Sequence, residues 1–373
     1  MELNTKRTWA EVRLGNIASN LRAIRATLPA GTKFLGVVKA DAYGHGAVQV
    51  SHCLQEIGAE YLAVSCLDEA LELRFAGIRL PILILGHTPP EYVPTLIAEH
   101  LTQTVTNRTK AEEYDAQAAR CGGTLKIHIK VDTGMSRLGF QCAGDQFSAG
   151  AENIAAACAF PHLEPEGIYT HFAVSDVPGE EARAYTQMQF RLFTDMIDEL
   201  GRRGVRFALR HCANSGAVMD YPETALDMVR PGILLYGYGD GGRLGLKPCM
   251  DLVTRISTIK TYEPGTRVSY GGTFTAARRT RMGVIPIGYA DGLFRSLSNR
   301  CAFRVGGGMA PQRGRICMDM CMIDLTDLPD VTTDSLVEIY GRHASLDDLA
   351  AAAGTIPYEL LCSVSKRVPR IYR

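Results

Sequence analysis

An apolar run, Phe34-Leu35-Gly36-Val37-Val38, ends on Lys39 and passes into a loop punctuated by glycine, Ala40-Asp41-Ala42-Tyr43-Gly44-His45-Gly46. The run reads as a buried parallel strand. Packing explains a lysine at its end poorly, because charged side chains are seldom fully buried without a partner. It is explained if the amine forms an imine with a carbonyl, since burial lowers its pKa and makes it a usable nucleophile and base. The alternative is a lysine that snorkels out of the strand end. A second stretch, Lys130-Val131-Asp132-Thr133-Gly134-Met135-Ser136-Arg137-Leu138-Gly139, runs from a strand into a polar loop. Arg137 there is either a surface loop arginine or a two-pronged contact for a carboxylate or phenolate oxygen. His171 and His211 each end a strand, where a structural histidine and a catalytic one look alike. Asn214 or Ser215 opens a short helix with free amides and a hydroxyl, a ready phosphate site. Val229-Arg230-Pro231-Gly232-Ile233 adds a second set of amides, with Gly232 allowing close backbone approach. Tyr270, beside paired glycines, reads on its own as a turn aromatic.

These residues need a frame that gathers strand ends. Trp9 to Val12 alternates like a short strand, and a helix with Asn16 as its expected N-cap follows up to Pro29. Then comes a beat of strand and helix. The strands are expected at Phe34–Lys39, Tyr61–Ser65, Ile82–Leu85, Thr102–Thr106, Leu125–Val131, Glu166–Thr170, Arg206–Arg210 and Leu226–Arg230. Eight strands at this spacing predict a (β/α)8 TIM-type barrel over residues 13–240, whose active site lies at the strand C-terminal ends. Lys39, Arg137, His171, His211 and Arg230 all fall there. A dinucleotide-binding Gly-x-Gly-x-x-Gly after the first strand is absent. After the glycine cluster 237–242 the pattern turns β-like, at Leu252–Lys260, Gly283–Ile287, Ala302–Val305, Gln312–Met318 and Ser335–Tyr340, with one helix, Ser345–Ala353. Residues 241–373 therefore read as a mostly β domain, joined by the N-terminal strand within 1–12.

Lys+Arg and Asp+Glu are both 40, so the net charge is zero and nothing favours nucleic acid or an acidic membrane surface. No apolar run reaches the roughly 18 residues of a membrane span, and the start lacks the apolar core of a signal peptide. Eleven scattered cysteines with no Cys-x-x-Cys spacing point to reduced thiols in the cytoplasm, with no disulfide framework and no metal site.

The stretch Val38–Gly46 resembles the pyridoxal-phosphate lysine motif of the bacterial alanine racemases, enzymes of fold-type III, and the resemblance runs from Thr8-Trp9-Ala10-Glu11 to Arg370. It implies a pyridoxal 5'-phosphate enzyme that interconverts L- and D-alanine and supplies D-alanine for peptidoglycan. Lys39 would carry the cofactor; Tyr43, Ser215, Gly232, Ile233 and Tyr358 would hold its phosphate. His171 would stack by the ring and Arg230 would contact the pyridine nitrogen. Arginine stays protonated, so that nitrogen would stay unprotonated and the cofactor would be a weak electron sink, favouring proton exchange at Cα over group transfer. Arg137 would contact the ring oxygen and the substrate carboxylate, and Lys130 matches a lysine that is carbamylated in many racemases. Ser136 stands where glycine is frequent in the family. Racemisation needs one base on each face, and the resemblance assigns Lys39 to D-alanine and Tyr270 to L-alanine. A free tyrosine, pKa about 10, would need cationic neighbours, and His171 linked to Arg230 is the expected relay. Met318, whose amide would bind the substrate carboxylate, and Tyr270 would reach the barrel of a second copy, so a homodimer with shared sites is expected. Tyr358 favours alanine over serine. A racemase of broader or serine preference and a non-catalytic pyridoxal-phosphate carrier are the alternatives; carriers of that kind resemble the barrel alone.

Overall fold

The computed structural model describes residues 7–373. Eight parallel strands form a nearly closed barrel: Lys33–Val37, Tyr61–Val64, Ile82–Ile84, Leu101–Val105, Leu125–Asp132, Leu163–Tyr169, Leu209–His211 and Met228–Val229. The last pairs with the first, Met228 opposite Lys33. Between the seventh and eighth the ladder is replaced by two bonds, Asp227 N–H to Arg210 O (3.1 Å) and Arg230 N–H to Ala213 O (2.9 Å). Helices pack outside, closely where the strand residue is small. A Cβ on Gly36 would lie 2.6 Å from Leu54 Cδ1 on the following helix, Ala47–Glu56.

Two local expectations change. The first helix is Leu14–Arg25 with Arg13 at its N-cap. Asn16 does not cap it; its amide donates to Pro248 O (2.8 Å) in the second domain. The helix Phe147–Cys158 was not singled out by periodicity, because it is nearly all apolar and buries the small residues Gly150, Ala151 and Ala157 beside Ile154.

The second domain is built on a nine-stranded sheet. Its order is Thr258–Tyr262, Thr280–Ile285, Cys321–Asp324, Gly308–Arg313, Ala302–Val305, Leu336–Tyr340, Met250–Arg255, Thr8–Val12 and Arg370–Tyr372. The run expected as one strand, Leu252–Lys260, is two strands that lie apart in this order. At the break, Ile256 N–H bonds Ser335 O and Ser257 N–H bonds Val284 O, so the chain changes neighbours within one residue. The strand expected at Gln312–Met318 stops at Arg313, because Gly314 takes φ +75°. The expected capped helix is present as Leu346–Ala353, with Ser345 Oγ accepting from Asp348 N–H at 3.0 Å. Thr8–Val12 pairs antiparallel with Met250–Arg255 and parallel with Arg370–Tyr372. Of the N-terminal segment 1–12, residues 1–6 lie outside the described residues. Among the described residues no helix is long and apolar enough to cross a membrane.

Barrel and sheet are tied by buried charge. Asp251, its side chain 3% exposed, ion-pairs with Arg13 at the start of the first barrel helix and with Arg342 at 3.1 Å. Removing Arg13 leaves that carboxylate with a single, half-exposed partner. Arg13→Ala is expected to cost about 3 kcal/mol, measured as a lowered denaturant midpoint; a loss below ~0.5 kcal/mol, the level of ordinary surface changes, would show that Arg342 alone satisfies Asp251.

Candidate active site

A cavity of about 810 Å3 opens at the C-terminal ends of the barrel strands. Its wall includes Lys39, Tyr43, Lys130, Arg137, His171, Ser215, Arg230, Gly232, Ile233 and Tyr358. Two residues singled out with them, Tyr270 and Met318, are not in it. They sit on the second domain, 72% and 52% exposed.

The first strand stops at Val37, two residues before the lysine. Lys39 then begins a turn in which Ala40, Asp41 and Ala42 take φ/ψ near +53°/+50° and Tyr43 takes φ +53°. This is a left-handed helical turn of four non-glycine residues, a conformation costing roughly 1–2 kcal/mol per residue. It is closed by its own bonds, Ala42 N–H to Val38 O (2.9 Å) and Gly44 N–H to Ala40 O (3.0 Å). Glu69 braces its start, accepting from Ala40 N–H (2.7 Å) and Ser65 N–H (2.6 Å). Burial lowers the pKa of Lys39, and the Arg137 charge lowers it further.

The arginine loop follows the fifth strand. Asp132 Oδ1 accepts from Gly134 N–H and Ser136 N–H, both at 3.0 Å, and folds the loop back. Ser136 takes φ +56°, which is the physical reason a glycine suits that position. Arg137 is exposed on the cavity wall, and no hydrogen bond or ion pair holds its guanidinium among the described residues. Lys130 lies on the same strand, its amine 5.6 Å from the centre of the Tyr169 ring. Burial, then Arg137 and Arg230, bring its pKa down to about 8.

Arg230 is buried in the cavity floor. One guanidinium nitrogen lies 2.7 Å from His211 Nδ1; the other donates to Thr170 O (2.8 Å) and lies 3.4 Å from His171 Nδ1. No carboxylate pairs with it among the described residues. A line of side chains instead leads inward: His211 Nε2 is 2.9 Å from His128 Nδ1, and His128 Nε2 is 3.1 Å from Glu166 Oε2. Glu166 also accepts from Tyr61 OH (2.8 Å) and Lys126 Nζ (3.1 Å). Burial alone would raise its pKa, but the bonds from His128 and Tyr61 outweigh that and hold it at about 2. Burial keeps both histidines neutral, pushing His128 down and His211 well down. The protons then follow. The carboxylate can only accept, so His128 carries hydrogen on Nε2 and accepts at Nδ1. His211 therefore carries hydrogen on Nε2 and offers a bare Nδ1 to Arg230. Burial and the Arg230 charge also keep His171 neutral.

His128, Glu166 and Tyr61 were missed in the sequence, although a signal existed. In Leu125-Lys126-Ile127-His128-Ile129-Lys130 polar residues alternate with apolar ones along a strand that a barrel covers on both sides, so the polar set must line the interior. Gly167 supplies the room: a Cβ there would lie 2.6 Å from the His128 ring.

At the opposite end of the cavity, Asn214 caps the short helix Ser215–Asp220 by accepting from Ala217 N–H (3.0 Å). Ser215 Oγ accepts from Leu234 N–H (3.3 Å), joining this helix start to Gly232–Leu235. Tyr43 reaches across from the lysine turn; a Cβ on Gly232 would fall 2.6 Å from its hydroxyl. Tyr358 packs beside Tyr43, ring centres 5.9 Å apart.

Models of the alanine racemase N-terminal and C-terminal domains match residues 12–240 and 249–372. The chain belongs to the alanine racemase family. An alanine racemase from Desulfovibrio desulfuricans is 43% identical over 373 residues, covering 98% of this chain and 97% of that one. The structure of alanine racemase from Clostridium difficile 630 matches with a TM-score of 0.93 at 38% identity, covering 100% of this chain and 97% of that one. Alanine racemase from Bacillus anthracis, solved with bound L-Ala-P, matches with a TM-score of 0.90 at 34% identity, covering 100% and 96%. A racemase-family barrel followed by a mostly β domain is the architecture expected above.

The Glu166 bonds make a pH prediction. Its folded pKa, about 2, lies below the ordinary 4.5, so ionised Glu166 contributes its stability in full above about pH 4.5 and loses it as the pH falls towards 2. The gap in thermal midpoint between wild type and Glu166→Gln should therefore be widest at neutral pH and narrow across that window. A gap independent of pH would mean that the carboxylate charge is not what the variant removes.

Proposed function

We propose that this chain interconverts L-alanine and D-alanine with pyridoxal 5'-phosphate in the barrel cavity, using Lys39 and a partner's Tyr270 as the two bases, and that it supplies D-alanine for peptidoglycan in the cytoplasm. The observation that carries the reading is one cavity that holds both a lysine of lowered pKa, just past a strand end, and a buried arginine with no carboxylate partner among the described residues. The residues present fit the cofactor. Gly232 keeps open the space beside the Tyr43 hydroxyl that a phosphate would need, flanked by the helix start at Ser215 and the amide of Ile233. Arg230 offers a cation where a ring nitrogen acting only as acceptor would lie. Bound there, pyridoxal phosphate would take up the substrate amine and acidify its Cα proton.

The chain's own groups then divide the work. Lys39 Nζ, its pKa lowered by burial and by the Arg137 charge, takes or returns the Cα proton on one face. Arg230 stays charged and is held by His211, Thr170 and Cys212; beside a bound ring nitrogen it would leave that nitrogen unprotonated, which would favour return of the proton over side reactions. Arg137, with no hydrogen-bond or ion-pair partner among the described residues, is placed to take the substrate carboxylate together with the amide of Met318. Lys130, near pKa 8 between Arg137 and Arg230, suits carbamylation: carbon dioxide adds to the neutral amine, a proton leaves, and the resulting anion faces two guanidiniums. Tyr270 and Met318 stand on connected loops, Ser269 Oγ donating to Arg315 O at 2.7 Å, and both are exposed on their own chain. A head-to-tail homodimer brings them to the other copy's barrel. Tyr358, half-buried against Tyr43, narrows the space beside the substrate and supports alanine over serine; Tyr358→Asn should raise serine turnover relative to alanine.

The test follows L-alanine in deuterium oxide, reading Cα exchange separately from D-alanine. Wild type should racemise, and Tyr270→Phe should lose most D-alanine formation. Bound cofactor with neither exchange nor D-alanine in wild type would make the chain a carrier instead. Sharing of sites gives a second outcome. Lys39→Ala and Tyr270→Phe, each nearly inactive alone, should recover about a quarter of wild-type activity when unfolded and refolded together, because half the dimers are mixed and each has one intact site. No recovery would place both bases on one chain.

A further inference from the structure

We propose that Arg370 is a positioning residue for Lys39: from the last strand of the second domain it clamps the left-handed turn 40–43 that separates Lys39 from Tyr43. Its role for the cofactor rests on the function proposed above; the clamp itself does not.

The Arg370 side chain is 10% exposed, and its donors all go to backbone oxygens. Nε donates at 3.0 Å to the carbonyl of Gly44, the residue whose N–H closes the turn. Nη1 donates to Ser365 O and Val368 O, and Nη2 to Val364 O, each at 2.7 Å. Nη2 also lies 3.9 Å from Asp41 Oδ2. The rigid guanidinium therefore fixes the turn to the segment 364–368 at a set distance. The two motif glycines admit this docking. A Cβ on Gly44 would lie 2.2 Å from Leu361 O, and one on Gly46 would lie 1.9 Å from the Tyr372 hydroxyl.

His45 holds the turn from the inner side. Its Nδ1 lies 2.9 Å from both Ala42 O and Tyr43 O, so that nitrogen carries the hydrogen, while Nε2 is buried with no partner. The ring packs on Tyr236, centres 4.5 Å apart. Burial drives its pKa down to about 4, so the neutral form that makes these bonds persists. A turn of alanine, aspartate and tyrosine in the left-handed region persists only where its surroundings over-determine it. If it relaxed to the right-handed form, the rotation from Lys39 to Tyr43 would reverse, and the Tyr43 hydroxyl would leave Gly232.

A residue that merely staples two domains would show the same loss of stability, so the test uses relief of strain. Ala40 is exposed and takes φ +52°, a conformation that glycine adopts freely. Arg370→Lys and Arg370→Ala are made with and without Ala40→Gly in the full-length chain. Hydrogen exchange at the Gly44 and Gly46 amides is read in cofactor-free protein, and the dissociation constant of pyridoxal phosphate is measured separately. Either Arg370 change should speed exchange at these amides about tenfold while barrel amides such as Ile129 stay protected, and should weaken cofactor binding about tenfold. Ala40→Gly should restore most of both. Unchanged exchange at Gly44 and Gly46 overturns the clamp. So does a loss of protection spread over the second domain that Ala40→Gly deepens. If the exchange results hold but wild type binds no pyridoxal phosphate, the clamp stands and the cofactor reading falls.

Discussion

A full positive charge, Arg230, lies buried in the floor of the barrel with no carboxylate beside it among the described residues. Placing a guanidinium there is costly unless its donors are met, and much of the barrel interior serves that end. Thr170 and Cys212 contribute carbonyls, Tyr169 contributes the face of its ring at 5.2 Å, and His211 contributes a bare nitrogen. His211 can do so only because His128 accepts its proton, and His128 only because Glu166 is ionised. A barrel centre that is ordinarily filled with branched apolar side chains here holds two imidazoles, a carboxylate and the hydroxyls of Tyr61 and Thr102. The missing side chain of Gly167 is the steric condition for that line.

The same charge organises the mouth. Arg137, Lys39 and Lys130 share the cavity with it, and burial together with their mutual repulsion depresses both lysines. The cavity wall also carries Glu69, Asp176, Asp220 and Asp240, so it is the local cluster of cations around Arg230, not an overall charge, that would meet an anion. The geometry separates one group that is permanently charged, Arg230, from amines whose charge responds to their surroundings. Chemistry that moves a proton at a lysine while a neighbouring heteroatom stays unprotonated needs that separation.

The strand–helix beat made the barrel legible, because short strand-like runs alternate with helical patterns and five of the eight end near a residue capable of chemistry. In the sequence, glycines punctuate the loop after Lys39, and Gly232 reads as a point of close backbone approach; both stretches line the cavity. What stayed hidden was hidden for physical reasons. Ala40 and Ala42 favour the right-handed helix, so nothing local predicts a left-handed turn; tertiary contacts from residues over three hundred positions away impose it. His128 and Glu166 looked like ordinary strand polar residues, since their meaning depends on which strand lies opposite. The order of the second sheet follows from a change of neighbours at Ile256-Ser257 that carries no glycine or proline to announce it. Tyr270 and Met318 were found by resemblance, since both stand exposed on the second domain, outside the barrel cavity.

The contact between Arg370 and Gly44 spans 326 positions of the chain. During translation at roughly 5–20 residues per second, the lysine turn emerges tens of seconds before the residues that grip it. Over that interval the barrel strands have all been made, while Gly44 O, and the spaces beside Gly44 and Gly46 that Leu361 and Tyr372 fill, have no occupant. The lysine end of the cavity thus takes its final shape only once Leu361, Arg370 and Tyr372 have been made, after every strand of the barrel around it.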